Sequence, residues 1–161
     1  MALQLRELLS YNPETGIFNW ARKNGKVYRY GKVAGTINSQ GYCQIMIDLV
    51  IYRAHRMAWA YVTGQWPEHE IDHVNGDRLD NRFCNLRQAT RTQNGRNLGM
   101  KKNNTSGYRG VTWDAQSQRW KAQITVNRKQ IHIGLFDTPK EAHVAYCKAA
   151  VFYFGEFARA Q

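Results

Sequence analysis

The sequence is poor in cysteine, and the few cysteines it has are isolated. Cys43, Cys84 and Cys147 are odd in number and form no C-x-x-C pair. A zinc ribbon needs closely spaced cysteine pairs and a disulfide framework needs an even set, so the sequence favours neither. We expect packed thiols in a reducing compartment.

Long apolar runs are also missing. No run approaches the roughly twenty apolar residues of a membrane-spanning helix, and no lipidation signal is visible. The N-terminus lacks the basic region and apolar core of a secretory signal. We therefore expect no membrane partner and a cytoplasmic protein that stays in the cytosol where it is made.

Acidic residues are scarce relative to basic ones. The 161 residues include 23 Lys and Arg but 12 Asp and Glu, which gives a net charge of +11. A basic surface attracts DNA, RNA or an anionic membrane. Because the membrane is disfavoured, a nucleic acid partner is expected rather than a merely basic soluble protein. The length suits one ordinary domain or two very small ones.

Patterns along the chain divide it into two parts. Residues 1–52 read as short strands and turns, and a helix is predicted at about 53–64, ended by Gly64. Residues 100–107 are polar and predict a linker. Beyond them come three β-like runs and a helix that begins at Thr138, with Pro139 and Glu141 completing a capping box, and ends at Gly155.

The segment 71–97 carries the residues with the clearest chemistry. Asp72 is a hard oxygen ligand suited to a divalent cation, and His73 has a side chain that titrates near neutrality and can act as a base. Neighbours on a strand point to opposite faces, so the two can share a site only if the strand bends. Asn75-Gly76 favours a turn there. A surface ion pair, a simple hairpin turn or a calcium loop are the ordinary alternatives, although the glycine is misplaced for the last.

As an ordered string, this segment resembles the HNH endonucleases of the phage and intron homing type. The matched residues are Asp72-His73, Asn75-Gly76-Asp77, Asp80-Asn81-Arg82, Asn85-Leu86-Arg87 and Asn94. The resemblance implies a ββα-metal fold in which His73 is the general base, Asn85 holds its ring, and Asp72 and Asn94 ligate one divalent metal. Asn94 stands at a position that can hold His. Because asparagine supplies an oxygen ligand, this set of ligands favours Mg²⁺ or Mn²⁺ over zinc.

Two upstream segments bear on the same resemblance. Residues 52–59, which include His55, are similar to the region that precedes the motif in phage members, and we assign His55 a structural or phosphate-contact role rather than that of a second base. Residues 48–51 depart from the pattern, because a glycine-bearing hairpin turn is more usual there.

Residues 106–158 resemble the DNA-binding domain of the plant APETALA and ethylene-response-factor proteins. The resemblance rests on Tyr108-Arg109-Gly110-Val111, Trp120, Ile133-Gly134, Phe136, Thr138 and the alanine-rich helix. It implies a three-stranded antiparallel sheet that is packed on one helix and enters the major groove. The plant target sequence is not carried over, because Thr112, Asp114, Thr125 and Gln130 replace several arginines of the plant members.

Alternation along the strands gives an independent prediction for this segment. Trp120, Ala122, Ile124 and Val126 share one face, and Ile131 and Ile133 join it from the next strand. The outward residues are rich in donors and acceptors suited to base edges and phosphates. With nearby charges, the expected DNA-binding residues are Arg109, Thr112, Lys121, Gln123, Thr125, Arg128, Gln130 and His132.

Together these patterns predict an α+β protein. We expect an HNH nuclease domain at 1–99 with a β-rich N-terminal extension, a linker at 100–107 and an APETALA-type domain at 108–161. The predicted function is a site-directed, metal-dependent endonuclease that nicks double-stranded DNA as a monomer, with no obligate protein partner. The alternatives are a DNA-binding regulator with a silent HNH fold and an RNA-directed protein, which aromatic stacking would permit.

Overall fold

The computed structural model describes residues 2–21, 30–97, 100 and 104–159, and it has an α+β architecture built from several small antiparallel sheets. Two compact units divide the chain, Met1–Asn94 and Gly95–Gln161. None of the helices in the described part of the chain combines the length and the apolar character that a membrane span requires.

The first unit contains the short strands that the sequence predicts. Helix α1 (Ala2–Leu8) leads into β1 (Leu9–Asn12), which pairs with β2 (Ile17–Trp20). Strands β3 (Thr36–Ile37), β4 (Cys43–Ile47) and β5 (Val50–Arg53) form a three-stranded sheet. Helix α2 (Ala54–Thr63) follows directly and ends at Gly64, whose φ of 78° is the left-handed cap that the sequence indicates.

The β4–β5 hairpin closes without a glycine. Asp48 and Leu49 both have positive φ, 47° and 66°, and the Leu49 side chain is 91% exposed. Two consecutive left-handed residues fit the right-handed twist of a two-residue hairpin, and this explains how the hairpin forms where the sequence departs from the expected turn.

A hairpin and the first four residues of a short helix complete the first unit. Strands β6 (Glu70–His73) and β7 (Leu86–Ala89) pair in antiparallel register and are followed by α3 (Arg91–Arg96). Thr90 accepts a hydrogen bond from the Gln93 amide, while Gln93 Oε1 accepts from the Thr90 amide, so the two residues form a capping box. The core below this hairpin contains Leu9, Phe18, Ile45, Met57, Ala58, Ile71 and Leu86.

The second unit has a sheet of order β10-β9-β8 with one helix against it. Its strands are β8 (Val111–Asp114), β9 (Arg119–Val126) and β10 (Lys129–Phe136), and its helix is α4 (Pro139–Phe154). Thr138 and Glu141 form the predicted capping box. Of the predicted linker, residues 101–103 lie outside the described residues.

The predicted inner face of this sheet is the buried one. Ala122 and Ile124 of β9 pack with Ala142, Tyr146 and Ala150 of α4. Gly110 has a φ of 73°, and a Cβ at this position would lie 2.0 Å from the Tyr146 ring. Only glycine allows this close approach of the chain to the helix.

Candidate functional site

The β6–β7 hairpin brings Asp72 and His73 to the end of β6 as buried polar residues. Asp72 is 5% exposed and His73 is 4% exposed. Asp72 pairs across the hairpin with Arg87, whose Nε and Nη2 donate hydrogen bonds of 2.9 and 2.8 Å to Oδ2 of the aspartate. Because a buried charge is costly without a partner, this ion pair explains how the carboxylate is tolerated there.

The imidazole of His73 lies among other rings. Its centroid is 5.0 Å from the His55 ring and 6.1 Å from the Tyr42 ring. Burial lowers the pKa of His73, against the hydrogen bond to Asn81 and the charge of Asp72, which raise it. The ring is therefore neutral at neutral pH and can accept a proton. We call Tyr42, His55 and His73 the ring cluster.

Asn81 supplies the carboxamide that meets the His73 ring. Its Oδ1 lies 3.3 Å from His73 Nε2, and its Nδ2 donates to the Leu79 carbonyl. Since Nδ2 is bonded to an acceptor, the oxygen end of the amide faces the ring, and Nε2 carries the hydrogen that it donates. The basic nitrogen of the neutral ring is then Nδ1.

The N-terminal extension fixes the position of Asn81. The Tyr11 hydroxyl donates a 2.7 Å hydrogen bond to the Asn81 carbonyl, and burial raises the pKa of Tyr11 to about 12, so that it stays a donor. Gly16 has a φ of 73°, and a Cβ there would lie 2.5 Å from the carbonyl carbon of Asn81. The turn between β1 and β2 therefore packs directly on the backbone that carries Asn81.

Asn85, expected to hold the His73 ring, has a different set of described contacts. Its Oδ1 accepts from the Asn75 amide at 3.0 Å, and its Nδ2 donates to Asn75 Oδ1 and to the Asp80 carbonyl. Its backbone carbonyl accepts from the Val74 amide. Asn85 thus shapes the loop between β6 and β7, and the contact predicted for it is made by Asn81. The sequence motif contained Asn81 but gave no signal that set it apart from Asn85.

Asn94 lies on α3 and contacts the strand that carries Asp72. Its Nδ2 donates a 2.6 Å hydrogen bond to Glu70 Oε2, which identifies Oδ1 as the end available to a cation. Glu70 and Asp72 are two residues apart on β6 and share one face, whereas His73 belongs to the other. His73 and the predicted ligand Asp72 therefore project from opposite faces of β6.

The donor set fits a hard divalent cation. Among the residues that the structure describes, no three His, Cys, Asp or Glu side chains gather in a way that could hold a metal. The carboxylate of Asp72 and the carboxamide oxygen of Asn94 are the oxygen donors that Mg²⁺ prefers, and Mg²⁺ commonly takes one or two protein ligands and keeps its waters.

His55 occupies the first turn of α2 beside His73. It is 7% exposed, and burial lowers its pKa to about 3, with the neighbouring His73 and Arg56 acting in the same direction. Its Nδ1 is buried without a hydrogen-bond partner among the described residues. A ring that stays neutral at neutral pH packs against the His73 ring, and we keep the structural role as our expectation for it.

The second unit places most of the predicted DNA-binding residues on one sheet face. Cross-strand partners share a face, and the register joins the predicted outward residues in three pairs, Thr112 with Lys121, Gln123 with His132, and Thr125 with Gln130. All six are exposed or half-buried. These six residues thus form a polar surface on the face opposite α4.

The two predicted arginines lie at different places in this unit. Arg128 occupies the β9–β10 turn with a φ of 65° and is exposed. Arg109 precedes β8, and its Nη2 donates to the Arg96 carbonyl at 2.8 Å. This hydrogen bond connects Arg109 to the end of α3, so the position of Arg109 differs from that of the six residues on the polar face.

Comparison with known families matches both functional segments. Residues 52–96 match the family model described as HNH endonuclease, and residues 106–156 match the AP2 domain. The chain therefore contains a segment similar to HNH endonucleases, followed by a segment similar to the AP2 domain. The first match contains Asp72, His73, Asn85 and Asn94, and the second contains the polar sheet face.

Two individual proteins are also similar. Protein 3.8 of Escherichia phage T7 is 34% identical over 79 residues, which are 48% of this chain and 65% of that protein, slightly less than two thirds of its length. A solved structure titled "DNA binding and cleavage by the HNH homing endonuclease I-HmuI" aligns with a TM-score of 0.44 and 17% identity, over 91% of this chain and 84% of that one.

Proposed function

We propose that this protein is a metal-dependent DNA endonuclease of the homing type that hydrolyses phosphodiester bonds at the end of β6. The observation that carries the proposal is a buried, neutral His73 beside a buried Asp72, on a β-hairpin followed by a helix and within the segment that matches the HNH family. A neutral imidazole and a carboxylate at one strand end supply a proton acceptor and an oxygen ligand.

In the proposed hydrolysis, each of these residues has a separate role. Nδ1 of His73 accepts a proton from the attacking water, and Asn81 holds the ring by accepting the hydrogen of Nε2. Asp72, Asp77 and Asp80 each raise the pKa of His73 by their charge, so they stabilise the imidazolium that forms. A divalent cation held by Asp72 and Asn94 would neutralise charge on the scissile phosphate and the leaving oxygen.

The AP2 sheet is the proposed reader of the DNA site. Its polar face offers Gln123 and Gln130, whose carboxamides can bond both the acceptor and the donor of an adenine edge, and Lys121 for a phosphate. The net charge of +11 favours association with duplex DNA. Because each chain carries one set of hydrolytic residues, we propose that a monomer breaks one strand per binding event.

A plasmid assay tests the proposal. Supercoiled plasmid incubated with the protein and Mg²⁺ or Mn²⁺ should be converted to the nicked form, and EDTA should prevent this. His73→Ala should abolish nicking, while His69→Ala, a change of an exposed histidine next to the same strand, should retain it. Equal nicking by wild type and His73→Ala would show that the mechanism is wrong.

A second function is a DNA-binding regulator with a silent nuclease fold. The observation that favours it is the Arg87–Asp72 ion pair, since a guanidinium already neutralises the carboxylate that would ligate a cation. This function predicts tight, salt-sensitive binding of duplex DNA with no cleavage in any divalent metal. The plasmid assay therefore separates the two.

A further inference from the structure

Two arginines lie on one tyrosine ring beside the candidate base. The Cζ atoms of Arg53 and Arg78 are 5.0 and 4.9 Å from the centroid of the Tyr42 ring. Tyr42 in turn belongs to the ring cluster, 6.1 Å from His73 between ring centroids. The chain therefore places two positive charges on a tyrosine ring that belongs to the same cluster as the imidazole that the proposed mechanism uses.

Neutral groups hold both guanidiniums in place. Arg53 Nη2 donates to Gln40 Oε1 at 2.8 Å, and Arg78 Nη1 donates to the Gln40 backbone carbonyl at 2.7 Å. Among the residues that the structure describes, neither arginine has an Asp or Glu partner within ion-pair distance, whereas Arg82 and Arg87 each have one. The two charges are thus positioned without being neutralised.

The arrangement also leaves a donor unused. Nη1 of Arg53 is buried and has no hydrogen-bond partner within the described ranges. A buried unsatisfied donor and two like charges over one ring are both unfavourable in the isolated protein. The cost of the two like charges falls when an anion binds, because an anionic oxygen offsets them.

We propose that Arg53 and Arg78, oriented by Tyr42 and Gln40, form a clamp for a phosphate group of the DNA strand that enters the His73 site. The ligand is a backbone phosphodiester of duplex DNA, since planar guanidinium groups pair with phosphate oxygens and the clamp lies beside the candidate base. This clamp rests on the proposed function, because it assigns a phosphate-binding role within the same site.

Binding measured without cleavage tests the clamp. The full chain is titrated with a duplex DNA oligonucleotide in EDTA at several salt concentrations, for wild type, Arg53→Gln, Arg78→Gln and the double variant. Each phosphate contact contributes close to one unit to the slope of log affinity against log salt concentration. We expect the slope to become shallower by about one for each single variant and by about two for the double variant.

The chain offers a matched control in Arg6. Its Nη2 donates to the Tyr61 carbonyl and its Cζ lies 5.4 Å from the Tyr61 ring, so it has the same kind of stacking away from the ring cluster. Arg6→Gln should leave the salt slope unchanged. Arg78 is exposed, so Arg78→Gln keeps the test decisive if Arg53→Gln fails to fold.

The outcomes separate the clamp from the endonuclease proposal. An unchanged slope in folded Arg78→Gln, or an equal change in Arg6→Gln, would overturn the clamp even if the wild type nicks plasmid. A slope change seen on duplex RNA but not on duplex DNA would overturn the DNA assignment. A wild type that nicks nothing would overturn the endonuclease, whereas the slope change would still support a phosphate clamp.

Discussion

Arg87 and Asp72 form an ion pair across the β6–β7 hairpin, with both side chains largely removed from solvent at 13% and 6% exposure. Two hydrogen bonds converge on one carboxylate oxygen. Asp72 is therefore the structural partner of Arg87 and also the proposed ligand of a cation.

We predict that Arg87→Met destabilises the protein strongly. Removing one partner leaves a buried carboxylate without its counter-charge, which typically costs about 3–5 kcal/mol. Urea unfolding at neutral pH would measure the loss. The control is Arg119→Met, because Arg119 pairs with Asp137 at 44% and 80% exposure and such a surface pair contributes about 0–1 kcal/mol. Equal losses in the two variants would contradict the prediction.

Replacement of Asn81 by alanine and replacement of Asn85 by alanine should have different effects. Asn81→Ala removes the acceptor at the His73 ring, so we expect nicking to fall by about 100-fold with DNA affinity retained, as misplacement of a catalytic group can cost. Asn85→Ala removes the loop contacts to Asn75 and Asp80, so we expect a loss of about 1–3 kcal/mol in unfolding free energy. Thermal melts and plasmid assays on both variants provide the comparison, and identical profiles would argue against separate roles.

His55 should make stability depend on pH. Its folded pKa of about 3 lies below the unfolded value near 6.5, so the unfolded chain binds the extra proton. The stabilisation is complete above pH 6.5 and is lost as the pH falls from there toward 3, by about 1.4 kcal/mol per pH unit. In His55→Phe, the unfolding free energy should fall less steeply between pH 6.5 and 4. Parallel curves for the two proteins would show that His55 does not carry the effect.

The polar face of the AP2 sheet should decide sequence preference. Gln130→Ala removes a side chain that can read a base edge, and a good bidentate pair is worth about 1–3 kcal/mol of discrimination. Selection of bound duplexes from a random pool should show one relaxed position. Lys148→Ala serves as the control because Lys148 is exposed on α4, which packs on the other face of the sheet. Loss of preference in both variants would point to instability instead.

Local signals predicted much of the fold. Thr138 was expected to cap a helix because its side chain can satisfy an amide only three residues away. Gly64 was expected to end α2 because glycine readily adopts the left-handed conformation that closes a helix, and its φ is positive. Alternation along β9 and β10 separated the buried face from the polar one because successive strand residues point to opposite sides.

The contacts that give the site its chemistry depend on residues far apart in the sequence. Tyr11 bonds Asn81 across 70 positions, and Arg87 meets Asp72 across 15. No local pattern distinguishes Asn81 from Asn85, since both are carboxamides in the same loop and only the folded chain shows which one faces His73. The ring cluster likewise combines Tyr42, which directly precedes β4, with His55 of α2 and His73 of β6.

The sequence by itself determined which functional segments the protein has: a basic chain, an ordered HNH-like segment with Asp72 and His73, and an AP2-like segment with alternating strands. Tertiary structure alone decided which carboxamide meets the His73 ring, that Arg87 neutralises Asp72, and that Arg53 and Arg78 share the Tyr42 ring. The physical reason is that caps, turns and alternation are properties of neighbouring residues, whereas ion pairing, ring contacts and burial arise only when distant segments pack together.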